Sequence, residues 1–100
     1  MLLIPLQPAP SQILSVTLAN QATTINLYQR TLGLFVDVSV GNQAIVTGVL
    51  ALNLVKIVRD AYLGFIGDLF FVDNQGSSDP DYTGLGGRFS LIYLEASDLG

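Results

Sequence analysis

Short runs of alternating apolar and polar residues, separated by turn-forming residues, restrict this chain more than any other feature. Leu32, Leu34, Val36, Val38 and Val40 fall on one face of a run whose other face carries Phe35, Asp37 and Ser39. A repeat of two places alternate side chains on opposite sides of a strand and would scatter them around a helix. Ser11 to Leu18 follows the same rule, with Leu14, Val16 and Leu18 opposed to Ser15 and Thr17. Ala19-Asn20-Gln21 is a short polar connector to a second alternating arm, Thr24 to Tyr28, which predicts a hairpin. Arg30 and Thr31 lead into the next turn, and Gly41-Asn42 has the glycine-first form of a tight hairpin turn, with Gln43 to Thr47 starting the returning strand.

The second half is less regular. Over Val49 to Asp60, Asn53, Lys56, Arg59 and Asp60 recur at helical spacing. Gly48 at the entry and the β-branched Val49, Val55, Ile57 and Val58 favour a strand with a bulge, leaving a short helix over 49–60 as the alternative. Tyr62 to Val72, with Phe65, Leu69, Phe70 and Phe71, is apolar on both faces and is expected to be central or to lie at an interface. Arg88 to Glu95 is expected to be a central strand for the same reason. Between these two runs lies a long acidic, glycine-punctuated loop over 73–87. About seven short strands with turns about every 8–12 residues predict a mainly β chain, a small antiparallel sandwich or barrel, in one domain over 1–100.

Composition narrows the functional classes. Half of the residues are hydrophobic and 12% are charged, against about 25% charged in an ordinary soluble domain. Apolar surface is therefore expected to remain after folding and to be covered by partners or further copies, so a homo-oligomer or obligate assembly is expected. The net charge is −4, and Arg30, Lys56, Arg59 and Arg88 are the only basic residues. That is too few for the phosphate contacts of direct nucleic-acid binding. With no cysteine and no histidine, disulfides, thiolate chemistry, the usual zinc sites and the commonest general base are absent. No cofactor is expected. The uncharged window Val38 to Val55 approaches the length of a membrane span, but Gly41, Asn42, Gln43, Thr47 and Asn53 inside it favour two strands, and no membrane crossing is expected. The N-terminal Met1-Leu2-Leu3-Ile4-Pro5-Leu6 lacks a basic leader segment and carries prolines at positions 5, 8 and 10, so it is expected to belong to the fold.

The candidate chemistry is concentrated in the loop. Asp73, Asp79 and Asp81 are the ligand type that calcium prefers, yet their spacing is not that of an EF-hand, and carboxylates capping local backbone N–H groups are the favoured alternative. The same carboxylates lack the partners of a sugar-hydrolysing pair. Gly84-Leu85-Gly86-Gly87-Arg88 precedes a strand rather than a helix, so it reads as permissive backbone for re-entry and not as a phosphate cradle. Arg88 is expected to pair with a loop aspartate at the surface. The aromatics Tyr62, Phe65, Phe70, Phe71, Phe89 and Tyr93 are expected in the core, whereas Tyr82, within the polar loop, is a candidate interface anchor. No catalytic set emerges. The interface candidates are Asp79, Asp81, Tyr82, Arg88, Phe70 and Phe71.

Extended stretches carry a resemblance: Leu3-Ile4-Pro5-Leu6, Ser11 to Leu18, Ile25 to Gln29, Ala61 to Leu69, Asp73-Asn74-Gln75-Gly76 and Asp79 to Gly86. Together they resemble the small baseplate plug proteins of contractile-tailed phages, a family typified by a cyanophage tail plug. The similarity spans nearly the whole chain and is most specific from Ala61 to Leu94. The resemblance implies a non-enzymatic structural protein of a virion, or of a prophage remnant, made in the bacterial cytoplasm. It implies a place at the baseplate near the hub, neighbouring tail proteins as partners and closure of the central channel before infection. A threefold hub would make three copies, or one asymmetric copy, the natural stoichiometries. A tail-assembly factor absent from the finished particle and a small calcium- or glycan-binding module are the alternatives.

Overall fold

The computed structural model describes residues 2–59 and 64–95. Seven strands form two antiparallel sheets: β1 (Leu2–Ile4), β2 (Ser11–Leu18), β3 (Gln21–Arg30), β4 (Gly33–Val40), β5 (Gln43–Leu50), β6 (Asp68–Asp73) and β7 (Phe89–Leu94). The strand order is β2-β3-β4-β5 in one sheet and β1-β7-β6 in the other. The expected mainly β architecture is thus present, as two separate sheets rather than one closed cylinder.

In the four-stranded sheet each strand pairs with its neighbour in sequence. Leu18 pairs with Gln21, Arg30 with Gly33 and Val40 with Gln43, so all three turns have two residues between paired positions. Ala19 and Asn20 both have positive φ, 50° and 62°, the backbone form whose twist suits a two-residue hairpin. Leu32, expected on the apolar face of β4, lies instead in the Thr31-Leu32 turn and is 82% exposed, because the strand begins only at Gly33. Pairing of β4 with β5 is interrupted by register shifts between Val36 and Ser39, opposite the stretch in which Gly48 adopts φ 64°. The strand with a bulge favoured over 49–60 is not found there: β5 ends at Leu50, and the irregularity lies earlier, between Val46 and Val49.

Residues 51–59 are not helical. Two of their N–H groups serve the free edge of β6: Leu54 N donates to Phe71 O at 2.8 Å and Ile57 N to Leu69 O at 2.9 Å. Leu54 and Arg59 also take positive φ, which a helix cannot accommodate. The extended run expected over Tyr62 to Val72 is likewise shorter, beginning at Asp68. Gly64 and Gly67, at φ 87° and 90°, turn the chain ahead of the strand, and Tyr62 lies outside the described residues. β7 is the central strand of its sheet, as expected, whereas β6 has β7 on one side and the 53–57 segment on the other. No helix among the described residues is long and apolar enough to cross a membrane.

The inner faces of both sheets meet in one apolar cluster. Ile25, Leu27, Leu34, Val36 and Val38 come from the four-stranded sheet, and Ile4, Leu69, Phe71, Leu91 and Tyr93 from the other. Phe65 packs edge-on against Tyr93, with ring centroids 6.0 Å apart. Phe71 has no exposed surface. It therefore belongs to the core and offers nothing to a partner, a correction to its place among the interface candidates. Phe70, pointing the other way along the strand, is half-buried.

Candidate functional site

The 73–88 loop is held by side chains at nearly every turn. β6 and β7 remain in register up to the pair Asp73 and Phe89, and Asn74 N extends the ladder by donating to Arg88 O at 2.7 Å. Asp73 then turns its carboxylate into the loop. Its Oδ1 accepts from Gln75 N (2.9 Å) and Arg88 Nε (2.9 Å), and its Oδ2 from Ser78 N (2.9 Å) and Arg88 Nη2 (2.8 Å). The Asp73 side chain is fully buried while that of Arg88 is 39% exposed, so this is not the surface pair expected from sequence. The bidentate geometry fixes orientation as well as charge. Arg88 chiefly, aided by the Ser78 and Gln75 amides, holds the Asp73 carboxyl well below the usual carboxylate range against the opposing effect of desolvation. The same hydrogen bonds raise Arg88 above its ordinary value.

The other two carboxylates face different donors. Asp79 Oδ1 accepts from Asn53 N at 2.9 Å, and Asn53 Oδ1 in turn accepts from Asp73 N at 2.9 Å, fastening the loop to the 51–59 segment. Asp81 caps the short 3₁₀ turn Tyr82–Gly84, accepting from Thr83 N at 2.9 Å and from the Thr83 hydroxyl. No group of three or more acidic, histidine or cysteine side chains among the described residues could hold a metal ion. Each aspartate instead satisfies backbone donors that the loop would otherwise leave unpaired.

Tyr82 is half-buried and packs against the core rather than standing free, and its N–H donates to Gln29 Oε1 at 3.1 Å. Gly86, at φ 82°, lies so close to the N-terminal segment that a Cβ there would sit 2.3 Å from Leu6 O. A side chain is excluded at this re-entry on both counts. Asp79 and Asp81 are exposed, and the Arg88 guanidinium lies 5.1 Å from the Phe89 ring centroid. The loop thus presents an acidic rim at Asp79 and Asp81.

Three polar joints were not anticipated. Asp68, 4% exposed, accepts from Val58 N and Leu69 N through Oδ1 (2.8 and 2.7 Å) and from Arg59 N through Oδ2 (2.8 Å). Gln21 ties the start of β3 to the segment ahead of β6, donating to Ile66 O at 3.2 Å and accepting from Ile66 N at 3.0 Å. On the outer face of the larger sheet, Asp37 accepts from Tyr28 Oη (2.9 Å), Gly48 N (2.7 Å) and Asn26 Nδ2 (3.3 Å). Desolvation, followed by the Asp37 contact, raises the Tyr28 phenol above its ordinary value. A lone carboxylate inside an apolar run, as at Asp68, is the sequence signal of a buried group that must find donors.

Residues 1–96 match the family described as "Cyanophage baseplate Pam3 plug gp18". The chain belongs to that baseplate plug family. The match covers both sheets and the whole 73–88 loop. A search of curated proteins finds no match.

Proposed function

We propose that this chain is a structural component of a phage or prophage contractile-tail baseplate, packing at the hub and closing the central channel, with no enzymatic role. The observation that carries the reading is the family match over residues 1–96. Composition supports it, since a half-hydrophobic chain with 12% charged residues that exposes Leu2, Leu3, Ile13, Leu54, Val55 and Ile66 has apolar surface to place against neighbours. Its partners are the hub and adjacent tail proteins, and it is assembled in the host cytoplasm and carried in the virion tail. Asp79, Asp81, Arg88 and the exposed part of Tyr82 form the polar rim of the contact, with Phe70 beside it.

Quantitative mass spectrometry of purified particles, counting this chain against the hub protein, tests the reading. A fixed ratio to the hub is expected. Absence from otherwise complete particles would instead make it an assembly factor. Asp79→Asn with Asp81→Asn keeps an acceptor oxygen for Asn53 N and Thr83 N while removing both charges. Reduced incorporation into tails is expected, and normal occupancy would remove the loop from the contact.

A further inference from the structure

The four-stranded sheet ends on one side in an unprotected strand. In β2 the carbonyls and amides of the even positions serve β3. This follows from the Leu18 to Gln21 closing pair, the unbroken register back to Ser11, and the bond from Gln29 N to Pro10 O at 2.8 Å. The N–H and C=O groups of Ser11, Ile13, Ser15 and Thr17 therefore point away from the sheet, and no described residue accepts from or donates to them. Their side chains are exposed, Ile13 at 70%.

The other edges are guarded. β1 has three residues, β5 carries the Gly48 irregularity, and β6 is lined by residues 53–57. Natural edge strands are usually blunted by charge, proline, a bulge or brevity. β2 has eight residues and none of these devices. No charged side chain precedes Arg30 anywhere in the sequence, so β1, β2 and nearly all of β3 are neutral.

We propose that two copies of this chain join edge to edge through β2, antiparallel about a twofold axis, so that their larger sheets become one continuous sheet. The occupant follows from charge and symmetry. A strand paired antiparallel with itself matches its own outward donors to its own outward acceptors, odd positions opposite odd, and a twofold contact needs only one kind of patch. Copies bearing a net charge of −4 repel one another through most approaches, but along β2 they meet without charge. Pairing also covers Ile13 and extends the inward row of Leu14 and Val16, which are half-buried in a single copy.

The test uses the purified chain, so its outcome is independent of the baseplate assignment. Sedimentation equilibrium is expected to give a dimer, and amide exchange by NMR to show protection of Ile13, Ser15 and Thr17 that rises with protein concentration. Ser15→Pro removes an outward donor without touching a bond to β3, and Ile13→Lys places charge on the edge. Each is expected to give a monomer with an unchanged far-UV spectrum, and Ile13→Lys carries the test should the proline variant fail to fold. A monomer at every concentration, a trimer, a dimer that survives Ile13→Lys, or unprotected β2 amides within a dimer would overturn the proposal.

Discussion

The four-stranded sheet is a meander in which β2 to β5 follow one another through two-residue turns. The three-stranded sheet instead sets Leu2, Leu3 and Ile4 against Tyr93, Ile92 and Leu91, from the opposite end of the described chain, and joins β6 to β7 across a long loop. The first closes by local pairing, at small loop-closure cost. The second depends on polar side chains, most of them buried, that tie distant segments together: Asp68 on residues 58, 59 and 69, Asp73 on Arg88, Asn53 on Asp73 and Gln21 on Ile66. Disturbing a joint should therefore damage the smaller sheet, while turn changes in the larger one should act locally.

The largest expected effect is in the shared core. Phe71→Ala should cost about 3–5 kcal/mol in a denaturant titration, and half-buried Phe70→Ala clearly less. Equal costs would contradict the inward and outward assignment of β6. Asp68→Ala leaves three backbone donors without their acceptor and should cost about 1–3 kcal/mol, with increased amide exchange at Val58 and Arg59 before any change in β3 or β4. Uniform loss of protection would show that the two sheets cannot be separated in this way.

The Asp73 joint gives a pH signature. Its carboxyl is held below the ordinary range, so its contribution is present above the unfolded value of about 3.9 and is lost as pH falls through the lowered folded value. Urea midpoints taken across the acid range should fall more steeply for the native chain than for Asp73→Asn, which should already be weaker at neutral pH. Parallel profiles would remove Asp73 as the source. The smallest effect is a gain: Ala19 sits at φ 50°, where an L-residue pays about 1 kcal/mol. Ala19→Gly should therefore stabilise the β2 to β3 hairpin by up to that amount, less the added freedom of the unfolded chain.

The same contrast decides what could be read from sequence. Alternation and turn chemistry are local, so β2, β3, β4 and the Gly41-Asn42 turn were legible. Leu32 was misplaced because alternation continues into a turn without any change of residue type. Residues 51–59 carry a helical rhythm and β-branched residues that favour a strand, but they form neither, because the Leu54 and Ile57 amides are taken by β6 carbonyls and those of Val58 and Arg59 by Asp68, partners that periodicity does not reveal. β1 is too short to show a period. In the loop the aspartates were visible, and the choice of Asp73 as the buried partner of Arg88 depends on the register of β6 with β7, which is set by long-range pairing. The homologous stretches identified the family where residue chemistry alone did not.

The most direct test of the central claim is a cryo-electron microscopy map of an intact tail from a particle that encodes this chain. The account predicts the two-sheet domain on the tail axis at the baseplate, contacting the hub and obstructing the channel. A complete baseplate with an open channel and no density for this domain would contradict it.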